Sequence, residues 1–396
     1  MRSIYLTLPL LLTLAACKVS DGTPPDASAT QASANPIAQT SPTADPLAAH
    51  DGGATANEVP DSEPRPVMQA QVVLDRLGFT PGVVDGKPGL STRNAVSGFQ
   101  EANGLTVTGE IDAATKAALI QYQVIPATRV VTIPAEFAAG PFVKIPKGPE
   151  DQAKLTALGY ETLDEKLAER FHTTVATLKL LNPGGMPAGS AKPAASTSPA
   201  PAAAATPKPS AADAPISVFS AGQQIRIPNV GGDTIVPGPV SDAAWQATLA
   251  MLGVGSEQPK AARIVVSKSK GMLKAYDAAD KLIAVYTATM GSTHDPLPLG
   301  DWGITGVGHN PKFNYNPKLF WDAKAGSQKA TLPAGPNGPV GVVWIDLTKE
   351  HYGIHGTPHP ETIGRAESHG CVRLTNWDVA RLAQMVSVKT KVSFEA

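Results

Sequence analysis

The segment SHGCVRL, residues 368–374, contains Cys371, one of the two cysteines in this chain of 396 residues. A lone thiol beside a glycine, with histidines close by in sequence, is a pattern typical of a catalytic nucleophile. The alternative is that Cys371 is a small buried hydrophobic side chain, as many free cysteines are. The sequence around this segment and at the N-terminus favours the nucleophile.

The first residues have the pattern of an export signal. A basic start is followed by an apolar run over residues 4–14, which leads into LAAC at residues 14–17. This run is shorter than the roughly 20 residues that span a bilayer, and it fits a secretory signal peptide. Its ending resembles a bacterial lipoprotein signal, which implies a signal peptide over residues 1–16, lipidation of Cys17 and, from Lys18, export to the outer membrane. An ordinary signal peptide with an incidental cysteine is the alternative.

Lipidation of Cys17 would leave Cys371 without an intramolecular partner, which excludes a disulfide framework. A free thiol in an oxidising envelope compartment is then best explained by catalysis, with burial as the other explanation. The formal net charge of −1 gives no electrostatic argument for binding nucleic acid, so no nucleic-acid partner is predicted. The predicted location is the periplasm, in the cell envelope, with a membrane contact through the lipid on Cys17.

Composition and length predict a multidomain protein. Residues 17–66 and 187–214 are rich in Ala, Pro, Ser and Thr and have few large apolar side chains. Such segments cannot bury enough surface to offset the entropy of ordering, so we expect a disordered tether and a disordered insert. Residues 231–259 are expected to be a linker.

The segment 67–124 is predicted to be a small all-α domain of three helices. Ser91 or Thr92 is expected to cap the second helix, and Asp112 the third. The segment resembles the three-helix peptidoglycan-binding domain, which implies peptidoglycan as a partner; a generic helical spacer is the alternative. The resemblance is carried by LGF at residues 77–79, PG at 81–82, DG at 85–86, AV at 95–96, FQ at 99–100 and NGL at 103–105.

Residues 125–230 combine helical patterns with a strand-like run. The run 162–171 has the pattern of an amphipathic helix, a second helix over 175–181 ends in LNP, and GQQIRIPN follows at 222–229. This order resembles a small α+β LysM glycan-binding module that is interrupted by the disordered insert. A structural α/β piece flanked by linkers is the alternative.

The C-terminal segment, residues 260–396, is predicted to be a mostly-β domain, either a sandwich or barrel-like. Short apolar runs are separated by turns at hairpin spacing, and one helix is expected over 377–386. The predicted strands are 263–267, 272–276, 282–286, 302–305, 342–346 and 352–357.

A thiol nucleophile needs a base, because only a few per cent of a free thiol is ionised at neutral pH. His369 lies two residues from Cys371, so on an extended chain both side chains lie on one face. His355 lies sixteen residues upstream and can return across the intervening loop. Gly370 allows a close backbone approach, which an oxyanion hole requires.

The pair of motifs IHGT at residues 354–357 and SHGCVRL resembles the L,D-transpeptidase (YkuD-type) catalytic domain. The resemblance implies that Cys371 is the nucleophile and forms a thioester, and that His355 is the general base and acid. It further implies that the carbonyl of Gly356 orients His355 and that N–H groups of Gly370 and Cys371 form the oxyanion hole. His369 as the base remains the second choice.

The same resemblance implies three substrate-binding residues. Ser368 and His369 would shape the pocket, and the guanidinium of Arg373 would meet a substrate carboxylate. The substrate would be the tetrapeptide stem of peptidoglycan, with release of the terminal D-Ala. Three acceptors stay open. An amine of another stem gives a 3–3 cross-link, and a protein lysine attaches that protein to the wall. Water as the acceptor makes the enzyme an L,D-carboxypeptidase.

Two further alternatives belong to other classes. His351, His355 and His359 are spaced by four, as zinc ligands on a helix would be, but the glycines and prolines between them forbid a helix there. No metal and no cofactor is therefore predicted. The second alternative is a non-catalytic lipoprotein that anchors the membrane to peptidoglycan, against which the intact pair of His355 and Cys371 argues.

Overall fold

The computed structural model describes residues 59–61, 63–190, 216–231 and 240–396. The predictions of a signal peptide, of lipidation at Cys17 and of most of the two Ala/Pro-rich segments lie outside these residues. Within them, no helix is both long and apolar enough to cross a membrane.

The first module is helical, as the sequence predicts. Asp112 accepts a hydrogen bond from the Thr115 N–H at 2.8 Å and caps the third helix. The second helix begins at Leu90 with Gly89 at its N-cap, so the prediction that Ser91 or Thr92 caps it is wrong. Thr92 lies inside the first turn, and its hydroxyl accepts a hydrogen bond from Gln71. The elements are α1 (Pro66–Arg76), β1 (Phe79–Thr80), α2 (Leu90–Ala102) and α3 (Ala113–Leu119).

The expectation of a purely α domain needs one correction, which is strand β1. Phe79 of this strand pairs in parallel with Val285, at the edge of the sheet in the C-terminal domain. Gly98 in α2 packs on the same residue, and a Cβ there would lie only 2.5 Å from Cγ2 of Val285. The first module is therefore joined to the C-terminal sheet by backbone pairing and by close packing.

Among the described residues, the second module has the order strand, four α-helices, strand. The two strands pair antiparallel, with Val131 opposite Ile225, and they cover two helices through Leu167, Phe171 and Leu178, which are fully buried. The sequence predicts only the last of these two strands. The first strand, TRVVT, is missed because its pairing partner lies beyond the long insert in the chain. The elements are β2 (Thr128–Thr132), α4 (Ala135–Ala138), α5 (Pro149–Gln152), α6 (Leu163–Arg170), α7 (Val175–Leu181) and β3 (Gln224–Pro228).

Two of the expected boundaries differ in the structure. Val59, Pro60 and Asp61, expected at the end of the tether, contact the second module, where Arg226 donates to the carbonyl of Val59 at 2.7 Å. Within the expected linker, 231–259, lies helix α8 (Ala243–Leu252). Its residues Trp245 and Leu249 are buried in the core of the C-terminal domain. Their spacing places them on one face of a helix, and this apolar face is the reason that the segment packs.

The C-terminal domain is built on a mixed β-sheet, and the strands expected from the sequence are present. Among the described residues, the sheet has the order β1-β6-β5-β4-β14-β8-β11-β12-β13-β7, and the expected helix α9 packs beside it. The elements are β4 (Arg263–Ser267), β5 (Met272–Tyr276), β6 (Leu282–Thr287), β7 (Thr289–Met290), β8 (Gly300–His309), β9 (Phe313–Tyr315), β10 (Ala330–Leu332), β11 (Val343–Leu347), β12 (Gly353–His355), β13 (Val372–Arg373), α9 (Asn376–Met385) and β14 (Lys391–Glu395).

A buried polar junction connects the three modules. Asp75 of α1 accepts hydrogen bonds from Arg381 of α9, at 3.1 Å, and faces Nδ1 of His172 at 3.2 Å. The other ring nitrogen of His172 lies 3.0 Å from the carbonyl oxygen of Leu252 in α8. Burial alone would raise the pKa of Asp75, but the charges and hydrogen bonds of Arg381 and His172 hold it well below its usual range. The junction thus holds an ionised carboxylate where the modules meet.

Candidate active site

Two neighbouring strands bring the predicted catalytic groups close together. β12 and β13 run parallel, and His355 is the register partner of Arg373. Cys371 directly precedes β13 and lies two residues before Arg373. Arg373 influences the pKa of both His355 and Cys371, as expected for three groups that lie close together.

His355 is buried and fixed in one tautomer. Its Nδ1 lies 2.7 Å from the carbonyl oxygen of Gly356, and only 4% of the residue is exposed. Because a carbonyl oxygen only accepts hydrogen bonds, Nδ1 carries the proton and Nε2 keeps its lone pair. Burial and the charge of Arg373 lower the pKa of His355 to about 3, against the opposing effect of the Gly356 hydrogen bond. His355 is therefore a neutral imidazole near neutral pH.

Cys371 is partly exposed at the protein surface. Burial raises its pKa above the ordinary value, while a hydrogen bond from the Gly353 backbone and the charge of Arg373 act in the opposite direction. The resting pair is thus a neutral thiol and a neutral imidazole. A nucleophile in this state needs its proton removed during the attack, and Nε2 of His355 is the group suited to accept it.

Gly370 occupies a position that a residue with a side chain would not tolerate. Its φ of +92° lies in the left-handed region, and a Cβ would lie 2.5 Å from Cε1 of Tyr352. The ring of Tyr352 therefore lies directly against the turn that leads into Cys371. Sequence analysis did not identify Tyr352, although it begins the strand-like run YGIHGT.

The hydroxyl of Ser368 links the backbone of Cys371 to the backbone of Gly291. Its hydroxyl donates to the carbonyl of Cys371 at 2.6 Å and accepts from the N–H of Gly291 at 2.7 Å. The residue is buried, and both contacts are within the chain. The structure therefore gives Ser368 a contact with the backbone of Cys371 itself, and its role in shaping the pocket stays a prediction.

Arg373 has spare hydrogen-bonding capacity beside the thiol. One terminal nitrogen donates weakly to the carbonyl of Glu367, at 3.4 Å. Its Nε is buried and has no hydrogen-bond partner among the described residues. A buried N–H without a partner is costly, and a carboxylate that enters the cleft would satisfy it.

His369 faces a different part of the molecule. Its Nε2 lies 2.9 Å from a carboxylate oxygen of Asp322, and its ring contacts Phe320 edge-on with centroids 5.1 Å apart. Trp321, whose ring centroid is 5.9 Å from that of His369, completes an aromatic wall. Sequence analysis missed these three partners, although the run LFWD at residues 319–322 carries two adjacent aromatic residues and an acid.

The three histidines spaced by four are not brought together. His355 is buried, whereas the side chains of His351 and His359 are exposed and lie near Glu350 and Glu361. Across residues 59–61, 63–190, 216–231 and 240–396, no group of three or more His, Cys, Asp or Glu side chains could hold a metal ion.

Comparisons with known proteins give matches to two families. Residues 261–393 match the YkuD family, described as the L,D-transpeptidase catalytic domain, and residues 64–119 match a putative peptidoglycan binding domain. The chain is 31% identical over 174 residues to a putative L,D-transpeptidase YkuD of Bacillus licheniformis, covering 44% of this chain and 75% of that protein. It is 28% identical over 193 residues to a probable L,D-transpeptidase YbiS of Escherichia coli, covering 46% and 60%.

Among solved structures, an L,D-transpeptidase from Mycobacterium smegmatis aligns with 20% identity and a TM-score of 0.28. That alignment covers 34% of this chain and 58% of the other. The chain thus spans less than two thirds of the E. coli and M. smegmatis proteins that it matches.

Proposed function

Because this chain belongs to the L,D-transpeptidase family, a family of cysteine transpeptidases, we propose that it acts on the tetrapeptide stem of peptidoglycan. Cys371 takes the acyl group of the stem as a thioester and passes it to an amine. The observation that carries this proposal is the neutral His355, fixed through Nδ1 by Gly356, on a strand that pairs with the strand directly after Cys371.

The first half-reaction forms the acyl-enzyme. Nε2 of His355 takes the thiol proton as sulfur attacks the carbonyl carbon of the third stem residue, a diamino acid. N–H groups of Gly370 and Cys371 stabilise the oxyanion, and one such donor contributes roughly 10²–10³ in rate. The tetrahedral intermediate collapses, its C–N bond breaks, and the leaving D-Ala amine receives the proton from His355.

The second half-reaction reverses the roles. His355 accepts a proton from the incoming amine, which attacks the thioester carbon and forms an amide. The sulfur leaves as a thiolate and recovers its proton from His355. The free Nε of Arg373 binds a carboxylate of the stem and so positions the reacting carbonyl.

The other modules place the enzyme at its substrate. The first module, which matches a peptidoglycan binding domain, supports peptidoglycan as the partner. For the second module, the antiparallel pair β2 and β3 packed on helices α6 and α7 supports a LysM-type glycan-binding unit. Lipidation of Cys17 would hold the chain at the outer membrane of the envelope.

The proposal is tested by mass spectrometry of muropeptides incubated with the full chain. We expect loss of D-Ala, a thioester on Cys371 and 3–3 dimers, whereas tripeptides alone would show that water is the acceptor. Cys371→Ala should abolish the acyl-enzyme while binding to peptidoglycan sacculi persists. Turnover retained in that variant would disprove the mechanism.

A further inference from the structure

A buried carboxylate of the second module reaches into the C-terminal domain. Glu169, near the end of α6, is only 7% exposed. One of its oxygens accepts a hydrogen bond from Nδ2 of Asn376 at 2.7 Å, and the other accepts one from the hydroxyl of Tyr160. Glu169 and Asn376 lie 207 residues apart in the chain, so this contact is made only by the folded modules.

Asn376 is the first residue of α9 and is fully buried. Its Nδ2 donates to Glu169 and also to the carbonyl of Pro336 at 3.1 Å. Its Oδ1 accepts from the N–H of Val342 at 3.3 Å. Both donors of the amide are used and the acceptor is engaged, so the orientation of Asn376 is fixed.

The fixed oxygen of Asn376 lies against Gly356. A Cβ added at Gly356 or at Gly341 would overlap Oδ1 of Asn376, so the amide fills the space between these two glycines. Gly356 is the residue whose carbonyl holds Nδ1 of His355. A continuous series of contacts therefore runs from Glu169 through Asn376 and Gly356 to His355.

The second module also holds the loop 334–342 that lies beside Gly356. The N–H of Leu158 donates to the carbonyl of Ala334, and the N–H of Asn337 donates to the carbonyl of Leu158, both at 2.9 Å. The N–H of Gly356 in turn donates to the carbonyl of Val340 in this loop, at 3.1 Å. The module thus supports the backbone around Gly356 from two directions.

We infer that Glu169 is a positioning residue for the L,D-transpeptidase reaction: through Asn376 it fixes the Gly356 carbonyl that orients His355. The second module is then part of the catalytic apparatus in addition to any role in binding glycan. Burying a carboxyl group in an interface costs free energy. Burial and the neighbouring charge of Glu165 raise the pKa of Glu169 to about 7. Apolar packing would often stabilise such an interface as well or better, which favours a role in orientation.

The inference rests on the proposed function and is tested on the full chain with Glu169→Ala and Glu169→Gln. Glutamine keeps an oxygen that accepts from Asn376, whereas alanine leaves Asn376 and Tyr160 without their partner. We expect Glu169→Ala to slow acylation of Cys371 by a tetrapeptide stem roughly 10- to 100-fold, as a small misplacement of a catalytic group does. Glu169→Gln should recover to within about 3-fold of wild type, and binding to peptidoglycan sacculi should not change in either variant.

Two matched controls separate positioning from loss of stability. Lys166 lies on the same helix but donates to Phe137 inside the second module, so Lys166→Ala should acylate like wild type. Leu178→Ala makes a cavity in the core of that module and lowers the melting temperature without touching Asn376. Equal acylation rates in Glu169→Ala and wild type, or equal slowing in Leu178→Ala at a matched loss of melting temperature, would overturn the inference.

A second readout needs no substrate. The ¹⁵N chemical shifts of His355, in protein labelled at histidine, report which ring nitrogen carries the proton. Wild type and Glu169→Gln should show the Nδ1–H tautomer, and Glu169→Ala should show a mixture. An unchanged tautomer in Glu169→Ala would contradict the inference. A wild-type protein that shows the tautomer but is never acylated by the stem would instead refute the proposed function.

Discussion

Two histidines lie near the nucleophile, and the structure places them in opposite surroundings. His355 is buried, holds its Nδ1 proton on the Gly356 carbonyl and keeps Nε2 as an acceptor. His369, two residues from Cys371 in sequence, has its Nε2 engaged by Asp322 and packs on aromatic rings. Nearness in sequence therefore does not favour His369 as the base. The strand pairing of β12 with β13 favours His355, because it places this histidine beside the chain that carries Cys371.

The largest expected effect on the acylation rate comes from replacing His355 by asparagine, compared with the same replacement of His369. His355→Asn should slow acylation of Cys371 by roughly 10²–10⁴, the usual contribution of a general base. His369→Asn, the matched variant, should slow it by less than about 10-fold, because it removes contacts with Asp322 and with the rings of Phe320 and Trp321 but no proton acceptor proposed for Cys371. Intact-protein mass spectrometry of single-turnover acylation measures both. The assignment of the base would be reversed if His369→Asn were the slower variant.

A substitution at Gly370 tests whether the turn that places Cys371 near His355 requires a glycine. Gly370→Ala forces a side chain into the left-handed region and against Tyr352, so it should destabilise the protein by about 1–3 kcal/mol. Chemical denaturation of the variant and of wild type measures the loss in free energy of unfolding. Gly326, which also has positive φ but has no atom within 4 Å of an added Cβ, provides the control. Gly326→Ala should cost less, because it carries only the backbone strain.

The pH dependence tests the charge state of His355. Its pKa of about 3 predicts that the acylation rate shows no loss between pH 7 and 5 from protonation of this histidine. The unfolded chain, with an ordinary His pKa of about 6.5, binds a proton in this range that the folded chain does not. This histidine's contribution to stability is therefore present above pH 6.5 and is lost as pH falls towards 3. An acylation rate that falls between pH 7 and 5 in wild type would contradict the low pKa of His355.

The smallest expected effect concerns the partner of His369. Asp322→Asn keeps a hydrogen-bond acceptor for Nε2 but removes the negative charge, so acylation should change by less than about 3-fold. The same single-turnover assay measures it at low and at high salt. A change as large as that of His355→Asn would mean that this exposed pair takes part in the chemistry.

Much of the organisation could be predicted before the structure was known. The three helices of the first module, the helices α6 and α7 and six strands of the C-terminal domain follow from local periodicity, caps and turns, which act over a few neighbouring residues. Strands β2 and β14 and helix α8 were missed, because each gains most of its stability from partners that lie far away in the chain. The candidate residues of the site came from the resemblance of the motifs IHGT and SHGCVRL to the L,D-transpeptidase catalytic domain. Hydrophobic periodicity did not identify them.

The sequence by itself determined the chemical groups: one thiol in the described C-terminal domain, two histidines and a glycine that allows a tight turn. Tertiary structure alone decided how they are used. It buried His355 and lowered its pKa, because desolvation disfavours the charged imidazole. It also engaged Ser368 with the backbone and brought Glu169 to Asn376. Such pairings depend on long-range packing of separate modules, and no local pattern of residues encodes the distance between them.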